Sequence, residues 1–105
     1  IMEQVIEVVN YKVLDGVTES QLIEASDQIV GFLQRSEGFL YRSLSYNQQK
    51  ETWTDTVYWQ DMEKAQAASK EFMAAPETQD YASKINMESV DMQHQIIKSD
   101  TGCTN

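Results

Sequence analysis

The sequence predicts an α+β fold of the ferredoxin-like kind, with elements in the order β-α-β-β-α-β, and three observations carry the prediction. Thr52 to Gln60 is almost wholly β-branched or aromatic and holds no Gly or Pro, which suits a pleated, half-buried strand. At Asp61 the pattern changes to a helix, with Asp61 as N-cap, Glu63 in the first turn, and Ala65, Ala68, Phe72 and Met73 along one side. Two further stretches of strand composition, Gln4 to Leu14 and Phe39 to Asn47, enclose a helical stretch from Thr18 to about Ser36.

Taken in order, the first strand ends at the turn pair Asp15-Gly16. Val5, Glu7, Val9, Tyr11 and Val13 share one face of it, and Ile6, Val8, Asn10, Lys12 and Leu14 the other. Neither face is cleanly polar, so both need cover. The first helix opens on a Thr18-x-x-Gln21 capping box. It buries Leu22, Ile29 and Leu33, flanked by Ala25, Ser26 and Phe32, and Gly38 closes it. Gln48 to Glu51 is a hairpin turn between the second and third strands. After the second helix Pro76 marks a break, and Glu77 to Ile85 is a further turn or two of helix. Asn86 to Ile97 reads as a fourth strand, with Met87 on one face and Val90, Met92, His94 and Ile96 on the other. Lys98 to Asn105 is a polar tail, expected to be mobile.

At 105 residues the chain is expected to be one domain with a modest core. Its net charge of −9, with the eight basic residues scattered, argues against nucleic acid and anionic membrane surfaces as partners. No apolar run approaches the roughly 20 residues of a membrane span, and no secretory signal is expected. Cys103 is the only cysteine, which excludes an intrachain disulfide and suits a reducing compartment, so a cytoplasmic location is expected.

Right-handed crossovers place both helices on one face of a single antiparallel sheet and leave the other face bare. Val5, Val9, Tyr11 and Val13, with Trp53, Val57 and Trp59, are expected to make that bare face apolar. At about 25 cal/mol per Å², covering such a face with a second copy would contribute many kcal/mol, so a homodimer joined through the sheet is expected.

The segments EGFLYRSLSY, TWTDTVYW, DMEKAQAASKEFMAAPE and INMESVDM resemble the antibiotic biosynthesis monooxygenase superfamily of dimeric α+β barrels. The resemblance runs from Val5 to about Met92 and includes Glu37-Gly38-Phe39 and the joint Trp59-x-x-x-Glu63-x-Ala65. It implies a cofactor-independent monooxygenase acting on a small aromatic or quinol-type metabolite. A non-catalytic small-molecule-binding or interaction dimer of the same fold, or a small-metabolite isomerase, is the alternative.

Such chemistry needs an apolar pocket with one or two polar groups, expected between sheet and helices. Asn10, Tyr81 and His94 are the candidate catalytic residues, and Tyr58, Trp59 and Phe72 the candidate substrate-binding ones. Asn10 resembles the strand-one Asn of haem-degrading members. The Trp and His expected with it are missing, because the second helix offers Ala67, Ala68 and Ser69 and the stretch after Pro76 offers Tyr81 and Ala82. Haem is therefore not expected, and no cofactor and no metal site is. There is no Gly-rich phosphate loop, G-x-S-x-G, C-x-x-C or H-E-x-x-H. Glu51 and Asp55 are expected at solvated strand ends, and Met62, Met73, Met87 and Met92 in the core.

Overall fold

Four antiparallel strands form one sheet in the order β2-β3-β1-β4, in a computed structural model that describes residues 3–102. The strands are β1 Val5–Val13, β2 Phe39–Asn47, β3 Thr52–Trp59 and β4 Ile85–Ile96. The helices are α1 Glu19–Asp27, α2 Val30–Arg35, α3 Met62–Phe72 and α4 Gln79–Ser83, the last entered through a 3₁₀ turn at Pro76–Thr78. This is the ferredoxin-like order expected from the sequence, with the first helical segment divided in two.

The capping signals act as expected. Thr18 accepts from the Gln21 amide while the Gln21 side chain accepts from the Thr18 amide, which opens α1. Asp61 accepts from the Lys64 amide at the start of α3. The break between α1 and α2 falls at Gln28 and Ile29, both still near right-handed helical dihedrals. The buried stripe of Leu22, Ala25, Ile29, Phe32 and Leu33 therefore runs through it without losing period.

Gly38 stands at φ +85°, between α2 and β2. A Cβ there would lie 2.7 Å from Cβ and Cγ of Lys64, so the missing side chain lets this turn seat against α3.

Parity along the strands decides which residues meet the helices. Val5 lies opposite Trp59 and Tyr11 opposite Trp53 across β1 and β3, and all four are buried in the core with Val57, Leu22, Phe32 and Ala68. The apolar set expected on the bare face is thus on the helix-covered face. The open face carries Ile6, Val8 and Asn10 from β1, Thr54, Thr56 and Tyr58 from β3, and Tyr41 and Ser43 from β2. It is a mixed surface of hydroxyls, two tyrosines and two aliphatics.

β4 departs from regular pairing between the partners Asn10↔Asp91 and Lys12↔Asn86. The amide of Lys12 is satisfied there by Ser89 Oγ at 2.8 Å, and the intervening residues bulge. The bulge changes parity, so Met87, expected opposite Val90 and Met92, joins them on the helix side. Lys98 to Gly102 have no regular structure, and Cys103 lies outside the described residues. No helix among the described residues is long and apolar enough to cross a membrane.

Candidate active site

Between the sheet and the helices lies an open-mouthed cavity of about 240 Å³. Strand alternation aims Glu7, Val9 and Tyr11 of β1 and Asp55, Val57 and Trp59 of β3 at it from below. Ile29, Phe32 and Leu33 close it at one side, Ala68, Ser69 and Phe72 of α3 at another, and Tyr81 of α4 at the far end. Phe72 meets Phe32 edge to face at 5.8 Å between centroids. Met73, Met87 and Met92 line it where it opens to solvent, and Met73 is 73% exposed.

Two polar groups interrupt these apolar walls. The first is centred on Glu7, whose Oε1 accepts from Ser69 Oγ at 3.2 Å and lies 3.2 Å from His94 Nε2. Glu7 and His94 are direct cross-strand partners on β1 and β4, so the sheet itself sets their spacing. Burial raises the pKa of the Glu7 carboxyl above its ordinary range, and the neighbouring His94 and Ser69 offset only part of that.

The second is a chain of five side chains. Arg42 of β2 reaches diagonally to Asp55 with Nε on Oδ1 at 2.9 Å and Nη2 on Oδ2 at 2.7 Å, and its Nη1 donates to Ser26 Oγ at 3.2 Å. Tyr81 donates to Asp55 Oδ2 at 2.8 Å, and the hydroxyls of Tyr81 and Tyr11 are 2.6 Å apart. The Arg42 guanidinium also lies over the Tyr81 ring, 5.6 Å from its centroid. Burial, with the Asp55 charge beside it, pushes the Tyr81 phenol far above its ordinary range, and burial raises Tyr11 as well. Both stay protonated.

Of the sequence candidates, the cavity gathers Trp59, Phe72 and Tyr81 in its wall, with His94 behind Glu7. Trp59 packs edge to face on Phe39, and its buried Nε1–H has no acceptor among the described residues. Tyr81 is 3% exposed, at the inner end. Asn10 is not in the cavity. Its parity puts it on the open face, where its Oδ1 accepts from Thr54 Oγ1 at 2.5 Å. Tyr58 lies on the open face too, tilted against Tyr41 at 5.9 Å.

Asp55, expected at a solvated strand end, is 7% exposed, because it shares its face with Trp53, Val57 and Trp59. The same alternation marked Glu7 as an acid among Val5, Val9 and Tyr11, and it was the readable signal for both. Glu51 is solvated as expected, in the hairpin turn at φ 54°. The methionines, expected in the core, divide: Met62 packs against it, while Met73, Met87 and Met92 are exposed. Among the described residues no three His, Cys, Asp or Glu side chains come together as metal ligands.

No family model matches the sequence, and no curated protein matches it. Solved structures do. A candidate antibiotic biosynthesis monooxygenase from Bordetella bronchiseptica superposes with a TM-score of 0.74 at 15% identity, covering 90% of this chain and 96% of that one. SnoaB, a cofactor-independent oxygenase from Streptomyces nogalater, gives 0.64 at 15% identity over 98% and 99% of the two chains. The fold is that of the antibiotic biosynthesis monooxygenases. A third structure of this monooxygenase fold, from Bacillus cereus, gives 0.61 at 19% identity over 96% and 99%.

Proposed function

We propose that this chain is a monooxygenase that takes a small aromatic hydroxy compound into the cavity and oxygenates it without a cofactor. The observation that carries this reading is a half-buried carboxylate, Glu7, in the wall of a mostly apolar cavity. The described likeness to an oxygenase fold, which includes a cofactor-independent oxygenase, supports it. A carboxylate whose ionised form is disfavoured by burial is a stronger base than one in water, which suits it to take a proton from a ring bound in the cavity.

Glu7 removes a proton from the activated substrate, while His94 and Ser69 hold its carboxylate in position. The electron-rich anion passes one electron to molecular oxygen, the resulting radical pair joins in a carbon–oxygen bond, and the peroxide anion takes back the proton held by Glu7. The hydroperoxide then loses water as the second hydrogen leaves the same carbon and a carbonyl forms. One oxygen atom stays in the product and the other leaves as water, so a CH₂ becomes C=O with no outside reductant. Phe72, Trp59 and Phe32 hold the ring and exclude water.

Oxygen uptake with a panel of anthrones and hydroquinones tests the reading. Wild-type chain should exceed the spontaneous rate with at least one of them, and Glu7→Gln should lower that rate by about 10²-fold. Uptake at the spontaneous rate throughout would end the oxygenase reading. A ligand that raises Tm without uptake would instead support the non-catalytic binder. A homodimer through the open sheet face and a cytoplasmic setting belong to the same proposal. The first rests on half-buried Ile6, Val8 and Tyr58 with no helix over them, and the second on a sequence with one cysteine.

A further inference from the structure

The order of hydrogen bonds at the inner end of the cavity fixes which way each proton points. Both Asp55 oxygens accept from the Arg42 guanidinium, Oδ1 from Nε at 2.9 Å and Oδ2 from Nη2 at 2.7 Å, so Asp55 serves as an acceptor at this end of the cavity. Tyr81 has one hydroxyl proton, and Asp55 Oδ2 takes it at 2.8 Å. The 2.6 Å contact between the two phenols must then be made with the proton of Tyr11. That leaves Tyr11, 1% exposed and part of the cavity wall, with free lone pairs and no proton to offer.

We infer that Tyr11 is a specificity-determining residue of this cavity, an obligate acceptor that selects ligands carrying an O–H or N–H donor on an apolar body. An ether or carbonyl oxygen in the same place would face lone pair against lone pair. The polarity is set two residues away, by the Arg42–Asp55 pair, and is transmitted through Tyr81. Tyr11 and Glu7 are both on β1 but four residues apart, about 13 Å along the strand with Val9 between them, so the two acceptors are separate positions. The inference rests on the cavity being the ligand site, as proposed above, and does not require turnover.

Binding of 2-naphthol and of 2-methoxynaphthalene, measured by calorimetry without oxygen, tests it. The wild-type chain should favour 2-naphthol by about tenfold, the worth of one hydrogen bond plus the cost of an unmet acceptor. Tyr11→Phe should bring the ratio near one. Tyr81→Phe keeps Tyr11 in place but removes its partner, so the Tyr11 proton is released and the preference should shift toward the methyl ether. Equal affinities in wild type, a full preference for naphthol in Tyr11→Phe, an unshifted one in Tyr81→Phe, or no binding of either probe would each overturn the assignment. The two proposals fail differently. Naphthol selectivity without oxygen uptake by any substrate would remove the oxygenase and keep Tyr11, and uptake with no selectivity would do the reverse.

Discussion

Glu7, half-buried, and Asp55, buried, are two acids on the same cavity, and their neighbours give them opposite tasks. Asp55 has a bidentate guanidinium and serves to orient. Breaking that pair from one side leaves an uncompensated buried charge, so Asp55→Ala should cost about 3 kcal/mol or more in chemical denaturation. Glu7 has only a histidine and a hydroxyl, and its folded pKa is raised. A raised carboxylate contributes stability below its unfolded pKa and loses that contribution as pH rises through the folded value. The wild-type chain should therefore lose stability from the ordinary carboxylate range upward, and Glu7→Gln should flatten that stretch of a Tm-against-pH curve. Asn10→Ala, on the far face of the sheet, should leave oxygen uptake unchanged. Much of this is readable from parity, since Glu7 and Asp55 fall in phase with the buried residues of their strands while Asn10 and Tyr58 fall out of phase. What parity could not supply was the partner: Arg42 is thirteen residues from Asp55 and reaches it only because the β2–β3 hairpin sets them diagonal.

The caps, the hairpin and the strand-to-helix joint at Asp61 were all legible because each rests on a local rule. Two features were not. The break between α1 and α2 leaves the apolar period intact, so no count of spacing reveals it. The β4 bulge depends on which residue of β1 the strand happens to face, a fact of pairing and not of either segment alone. Gly38 belongs to this level, because it joins α2 to β2 while touching α3. Gly38→Ala combines a left-handed backbone with a 2.7 Å approach to the fixed stem of Lys64. It should lower stability by about 2 kcal/mol, read from the urea midpoint at unchanged slope.

Seen whole, the sheet is covered by helices on one side and open on the other, as the right-handed crossover rule requires. The apolar set of Val5, Tyr11, Trp53, Val57 and Trp59 lies under the helices and not on the open side, because the apolar count of a strand face does not say which parity the helices claim. The proposed dimer consequently rests on Tyr41, Tyr58, Ile6 and Val8 rather than on Trp53 and Trp59. Sedimentation at micromolar concentration should report twice the 12.1 kDa mass of the chain. Tyr58→Asp should return it to that mass. The three methionines around the opening bear on the same molecule in another way. Thioether chains are long, unbranched and soft, so a rim made of them yields to many outlines and turns few visitors away. Admission is then broad, and the sorting of one guest from another falls to the rigid phenols at the back.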